Sequence, residues 1–378
     1  MAKKKKSELI IKKPLDFTLI ITVFMLLGLG IITVLSASSP KALAETGNSY
    51  SYVRRQIFSA ILGIAAMFAI SKIDYKIWQK NYKVIFAICL GLLLLVPVMG
   101  ASSGGAKRWL VLGPISFQPS EVAKVGIIIF YAAWLTKNRE NLKTIKEGFF
   151  LPFLILLPAI FIILILQNHF SATLVICMLV AILMILSGCK IRYFVLFGIP
   201  LAVFGVAALL FKAGQGFRMT RVLTFFNPWK DIAGDGWQVV QSLYAIGSGG
   251  VFGVGLGNST QKYSYIPEPH NDFIFAVLAE ELGFIGCAIV IVLFAILIWR
   301  GITVAMKAPD MFGSLLAAGI TSMIAIQVLI NIAVVTASMP VTGMALPFFS
   351  YGGTALIIIL SSVGILLSVS RAANDSNS

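Results

Sequence analysis

The sequence predicts an all-α, polytopic integral membrane protein of about ten transmembrane helices with a large extracytoplasmic loop between spans 7 and 8. Three observations predict it. Of 378 residues, 58% are hydrophobic and only 12% charged. The mean hydropathy is +0.94. Apolar runs close to the roughly 20 residues that cross about 30 Å of hydrocarbon recur along the chain. A soluble domain of this length needs far more polar surface than such a composition provides, so the bilayer is the main solvent.

The runs fall at 17–37, 56–73, 82–99, 119–136, 148–167, 170–188, 193–211, 273–299, 313–337 and 352–370. Ahead of the first lies a Lys-rich tail, residues 1–16, with Lys3 to Lys6, Lys12 and Lys13. The apolar segment after it is longer than a signal-peptide core, so the tail reads as a cytoplasmic topology signal. With ten spans both termini are then inside. The inner loops hold Lys72, Lys76, Lys80, Lys83, Lys137, Arg139, Lys143, Lys146, Lys190, Arg192, Arg300, Lys307 and Arg371, as the positive-inside rule asks, while Arg54 and Arg55 on the outer side count against it. Residues 17–371 form a single membrane domain and 372–378 a short cytoplasmic tail, placing the chain in the cell membrane.

The formal net charge of +15 is thereby assigned to topology, which excludes a nucleic-acid partner. Cys89, Cys177, Cys189 and Cys287 lie in or beside apolar runs without a CxxC pair, and His169 and His270 are the only histidines, so neither a disulfide framework nor a metal site is expected. Residues 212–272 make a connection of about sixty residues where two to eight are usual. Its glycines and interfacial aromatics suggest a folded, partly re-entrant outer cap.

Ionisable groups at membrane depth cost roughly 2.5 to 3.5 kcal/mol each and so carry information. Four places collect them. In GAKRWLVLGPISFQPSEVAK, Pro119 opens a helix, Glu121 sits in its first turn, and Glu121 with Lys124 is an i, i+3 pair. That is either a capped helix with a compensating ion pair, or a site where Lys124 and Arg108 hold an anionic headgroup. Arg218 and Arg221, in the long loop, are either interface anchors or phosphate clamps. Asp272, at the mouth of span eight in YSYIPEPHNDFIFAVLAEELGFIG, is either a helix N-cap or a carboxylate whose apolar surroundings suit a general base. Gln327 and Asn331, one turn apart in span nine, with Ser350 in the Pro- and Gly-broken stretch that follows, either glue helices together or line a cavity. All four places reach the outer side under this topology.

The strings GAKRWLVLGPISFQPSEVAK, FNPWKDIAGDGWQVVQSLYAIGSGGVFGVGLGNS, YIPEPHNDFIFAVLAEELGFIG and INIAVVTASMPVTGMALPFFSYGGTAL resemble, in order and spacing, the signature blocks of the SEDS family (FtsW, RodA, SpoVE) of peptidoglycan glycosyltransferases. SYIPEPHNDFIF is more similar to the FtsW and SpoVE branch. Two positions depart from the pattern: QNHFSAT stands where a QPDLGTA-like run is commoner, replacing an acid near His169, and Ile232 stands where proline is commoner.

The resemblance implies a polymerase joining lipid II units at the outer membrane face. Asp272 would be the base, Arg108, Lys124, Arg218 and Arg221 the cations for the leaving diphosphate, and Glu121 the partner of Lys124. A divalent cation, Mg or Mn, could bridge the diphosphate, although no ligand cluster demands one. The chain has no soluble SxxK domain, so a class B penicillin-binding protein is the expected transpeptidase partner, alongside other division proteins and membrane lipid. Two rivals stand beside this reading: a lipid II flippase and a non-catalytic division scaffold.

Overall fold

The computed structural model describes residues 15–103, 106–112, 115–200, 203, 207, 224–232, 234, 236–263, 266 and 268–376. Helices dominate them: α1 (Phe17–Thr46), α2 (Ser51–Ser71), α3 (Lys76–Met99), α4 (Pro119–Lys137), α5 (Lys146–Leu166), α6 (Phe170–Leu186), α7 (191–200), α8 (Trp237–Gly249), α9 (Ile274–Lys307), α10 (Met311–Val335) and α11 (Gly353–Ser376). Among the described residues seven helices are long and apolar enough to cross a membrane, and α6 is a shorter apolar helix. Each of the ten runs falls on helix where it is described, and nearly half of the seventh lies outside the described residues.

Local chemistry fixes the helix ends. Asp16 caps α1 by accepting from Leu19 N at 3.1 Å, and its other oxygen takes Arg300 of α9 at 2.5 Å. Asp310 caps α10 by accepting from Gly313 N at 2.7 Å and receives the Tyr75 hydroxyl at 2.6 Å. Both caps lie at the end of the bundle away from Asp272. The apolar core runs the length of α4, α6, α9, α10 and α11, where side chains such as Ile128, Leu179, Phe294, Leu316 and Leu360 are buried.

Two features lie between the ten runs. Residues 101–117 form an antiparallel sheet of β1 (Ala101–Ser103), β2 (Ala106–Leu112) and β3 (Ile115–Phe117) that leads into α4. The long connection 212–272, where described, contains α8, a helix of 13 residues that buries Val239, Val240, Gln241, Ser242 and Ala245.

Helix α9 is broken at Gly283, whose φ of 64° and ψ of −164° lie in a region open only to glycine. The break leaves backbone groups without helical partners, and the segment after α8 supplies them. Val254 N and Gly255 N donate to the carbonyls of Glu280 and Glu281 at 3.0 and 3.1 Å, while Phe284 N and Ile285 N donate to Gly250 O and Val251 O at 2.9 and 3.2 Å. The same loop receives the two buried carboxylates. Thr260 N and its hydroxyl reach Glu280 at 2.9 Å, Lys262 Nζ reaches Glu281 at 3.1 Å, and the Ser36 hydroxyl of α1 donates to Glu281 at 2.5 Å. The buried Lys262 ammonium is fully bonded, reaching Ser36 Oγ at 3.0 Å and Gly257 O as well as Glu281.

Candidate active site

The cationic side of the site is built by β2 and the first turns of α4. Pro119 occupies the first turn, where no backbone donor is lost, and Glu121 follows where the helix dipole favours an acid. One turn on, Lys124 is only 1% exposed, and its Nζ lies 2.8 Å from Glu121 Oε1. Arg108 on β2 donates to the carbonyl of Asn168 at 2.9 Å, in the turn between α5 and α6. In that turn His169 places Nδ1 3.5 Å from the Ser120 hydroxyl. Burial first, then the charges of Arg108 and Lys124, push the imidazole down to about 3, so it is neutral near pH 7.

The acidic side is the stretch from Glu268 to Asp272 that enters α9. Three successive carbonyls are each held by a different partner. His270 O accepts from Tyr351 N at 2.8 Å, Asn271 O from the Ser350 hydroxyl at 2.7 Å, and Asp272 O from Asn331 Nδ2 at 2.8 Å. Asn331 Nδ2 also donates to Met344 O at 2.6 Å, and the Ser350 hydroxyl accepts from Leu346 N at 2.7 Å. The loop between α10 and α11 is thereby tied to the loop bearing Asp272. Its Gly343 has φ +65°, and a Cβ there would lie 3.1 Å from Asp272 Oδ2. The carboxylate is seated against a position that a side chain would crowd.

Behind this stretch, the His270 ring is wedged between Tyr52 and Tyr351, with centroids 4.9 and 5.6 Å away. Its Nε2 is 3.4 Å from Glu268, which pairs with Lys41 and accepts from Asn271 Nδ2 at 2.9 Å. Burial lowers the imidazole to about 4, the neighbouring Glu268 pulling the other way.

Hydrogen bonds join the two sides, one of them the Thr354 hydroxyl of α11 donating to Ser116 O of β3 at 3.0 Å. The Ser171 hydroxyl, in the first turn of α6 just after His169, donates to Thr342 O, next to Gly343. A continuous line of contacts therefore runs from Arg108 through the Asn168–Ser171 turn and Thr342–Gly343 to Asp272. The structure brings Arg108, Glu121, Lys124 and Asp272 to one end of the bundle.

Asn331 and Ser350, expected to face substrate or glue helices, both bind backbone around Asp272. Gln327 is buried one turn along α10 from Asn331. Arg218 and Arg221 lie outside the described residues. The N-cap position of α9 is Phe273, without a side-chain bond, and not Asp272, while the Asn271 amide donates to Glu268. The sequence alone did not point to Ser171 or Gly343, whose roles rest on contacts between distant segments, and gave His169 no role. Among the described residues no three His, Cys, Asp or Glu side chains gather as metal ligands, and the groups on the cationic side suit direct contact with an anion.

The chain matches the family model described as "Cell cycle protein" (FtsW, RodA, SpoVE) over residues 17–375. It is 43% identical over 358 residues to the stage V sporulation protein E of Bacillus subtilis, covering 94% of this chain and 97% of that one. It is 39% identical to a probable peptidoglycan glycosyltransferase FtsW of Geobacter sp., with 94% and 96% covered. Among solved structures it superposes with a TM-score of 0.79, at 30% identity, on a chain from work on the structural coordination of polymerization and crosslinking by a peptidoglycan synthase complex, covering 94% of this chain and 98% of that one. The rod shape determining protein RodA of Thermus thermophilus superposes with a TM-score of 0.69 at 28% identity, with 94% and 97% covered. A match along nearly the whole length, in sequence and in fold, shows that this chain belongs to the SEDS family of FtsW, RodA and SpoVE cell-cycle proteins.

Proposed function

We propose that the chain is a peptidoglycan glycosyltransferase that polymerises lipid II into glycan strands at the outer face of the cytoplasmic membrane, in septal or spore-cortex synthesis. The basic residues of the loops opposite Asp272 support an orientation with both termini inside. The observation that carries the reading is the unbroken line of contacts from the Arg108 and Lys124 side to the Asp272 carboxylate.

In the reaction the 4-hydroxyl of the acceptor sugar attacks the anomeric carbon of the donor, and the bond from that carbon to the lipid diphosphate breaks. Asp272 takes the hydroxyl proton, and the diphosphate leaves with the electron pair of the broken bond. A diphosphate leaves as an anion, so the site needs cations at that end and not a second carboxylic acid. Arg108 and Lys124 supply the charge, with Glu121 holding Lys124 in place. Asn331 and Ser350 fix the backbone that carries the base. No step is routed through a divalent ion, and among the described residues no three His, Cys, Asp or Glu side chains gather as its ligands. Cross-linking falls to a separate class B penicillin-binding protein, consistent with the synthase complex whose chain this one matches in fold.

Purified protein given labelled lipid II should make polymer without any partner, and Asp272→Asn should slow it by about 10² to 10⁴-fold, as loss of a general base does. Normal chains from that variant would remove Asp272 from the chemistry. One observation favours a second reading, a lipid II flippase: α9 is broken at Gly283, and broken helices recur in transporters. Lipid movement without polymer would decide for it.

A further inference from the structure

The second turn of α2 carries Gln56, which is 0% exposed. A primary amide inside an apolar bundle is costly unless both of its ends are bonded, and here both ends go to the backbone that leads into α11. Nε2 donates to Ser350 O at 3.2 Å, and Gly352 N donates to Oε1 at 3.3 Å. One carboxamide thereby engages the carbonyl before Tyr351 and the amide after it, as the backbone of an adjacent strand would.

The segment it grips is the one that holds the proposed base. Tyr351 N donates to His270 O at 2.8 Å, and the Ser350 hydroxyl donates to Asn271 O at 2.7 Å, two and one residues before Asp272. The same face of α2 closes the space behind that segment. One turn before Gln56, the Tyr52 ring meets the rings of His270 and Tyr351 edge-on, with centroids 4.9 Å away in each case. One turn after it, a Cβ at Gly353 would lie 2.9 Å from Ser59 Oγ. Packing therefore opposes movement of residues 350–353 toward α2, and the two bonds of Gln56 oppose movement away from it. The helices themselves do not need the amide to stay together. Further along the pair, a Cβ at Gly63 would meet Leu360 Cδ1 at 2.5 Å, and one at Gly364 would meet Met67 O at 2.6 Å, so α2 and α11 already lie in close contact there.

We infer that Gln56 is a positioning residue for the base: its amide fixes residues 350–352, and these fix the backbone of residues 270–271 that leads into Asp272. The inference rests on the glycosyltransferase reading above and adds α2 as an anchor of the base beside α10.

The test is polymerisation of lipid II by the full-length protein in detergent, with kcat and KM measured separately and rates referred to the folded fraction seen in gel filtration. Gln56→Met fills a similar volume and removes both bonds. Its kcat should fall by about tenfold, the effect of a few tenths of an ångström at a reacting group, while KM changes by less than about twofold because Arg108 and Lys124 are untouched. A second arm asks whether the effect travels through Ser350. In Ser350→Ala, where the bond to Asn271 O is already gone, Gln56→Met should cost at least about threefold less in kcat than it does in the wild type, as for neighbours acting in series. Gln56→Asn, one methylene short of reaching both groups, gives the same comparison with a polar side chain if Gln56→Met does not fold. A folded variant with wild-type kcat overturns the inference, and so does a loss in KM alone or an equal factor in both backgrounds. Failure of both variants to fold overturns it too, since Gln56 would then support the bundle and not the base. These outcomes leave the glycosyltransferase reading intact when the wild type polymerises and Asp272→Asn does not, whereas wild-type protein that makes no polymer refutes that reading and the inference with it.

Discussion

Adding one methyl group at Gly343 tests the position of the base without touching the base itself. In Gly343→Ala the new Cβ would stand 3.1 Å from Asp272 Oδ2, a few tenths of an ångström inside ordinary contact. The backbone cannot give way easily, because Asn331 holds Asp272 O and Ser350 holds Asn271 O. Relief must come from rotation of the carboxylate itself. A displacement of about 1 Å at a reacting group costs on the order of 100-fold in rate, so a few tenths should lower kcat by roughly fivefold to tenfold. Alanine at φ +65° adds about 1 to 2 kcal/mol of backbone strain, a modest loss of stability. KM for lipid II should hold, since the Arg108 and Lys124 side is untouched. Initial polymerisation rates at several lipid II concentrations, with a melting curve on the same preparation, separate the two effects. A folded variant with unchanged kcat would refute the reasoning, and so would a loss that appears only in KM.

Three further outcomes follow from the same contacts. Lys262→Met strips the ammonium from Glu281, itself 1% exposed, and should destabilise the protein by about 3 to 5 kcal/mol, read as a lowered melting temperature in detergent. Asn331→Leu leaves the carbonyls of Asp272 and Met344 without their amide donor, costing about 1 to 3 kcal/mol for each buried group, and should reduce kcat more than it changes KM in polymerisation kinetics. His270, at about 4 in the fold against an ordinary value of about 6.5, binds its proton less readily than in the unfolded chain. Its contribution is therefore complete above about pH 6.5 and is lost as pH falls toward 4, by about 2 kcal/mol between pH 7 and 5, and His270→Asn should flatten melting temperature over that interval.

What the sequence revealed and what it hid follow from the range of the interactions. Spans are written in contiguous apolar residues, so the ten runs could be read directly. The Glu121–Lys124 pair was legible because three residues on a helix are neighbours. Helix α8 left a weaker mark: Val239, Val240, Ser242 and Ala245 repeat at helical spacing, but thirteen residues are too few for a span and lie in a glycine-rich stretch. The strands at 101–117 are three to seven residues long, below the length at which alternation is decisive. The break at Gly283 was invisible because the apolar run continues through it without interruption. Asn331 and Ser350 were rightly singled out as costly polar groups in a membrane, but their use depends on carbonyls more than fifty residues away, and no local pattern encodes that.

That break also bears on whether the bundle works as an enzyme or as a carrier. In a carrier built on discontinuous helices, the half-helix ends point their dipoles and unsatisfied carbonyls at the transported ion or substrate. Here the same groups are engaged by the chain's own backbone. The carbonyls of Glu280 and Glu281 receive Val254 N and Gly255 N, and the amides of Phe284 and Ile285 reach Gly250 O and Val251 O. The carboxylates of the two glutamates are bonded to Thr260, Lys262 and Ser36. A segment that must slide for alternating access would have to undo all of these at once, in a place where each unsatisfied group costs several kcal/mol. The break is better suited to being a fixed joint. It lets the half-helix Ile274–Leu282 set its own direction, anchored at one end by the Lys262–Glu281 lock and at the other by Asn331. Glu281 stands about 10 Å along that half-helix from Ile274, seven residues at 1.5 Å each, with Asp272 two residues before its start. A base held from both ends of a short rigid lever is what a reaction at one fixed position requires, and it gives the Lys262→Met experiment a second readout: if the joint positions the base, folded variant protein at low temperature will also lose kcat, although residue 262 never touches the substrate.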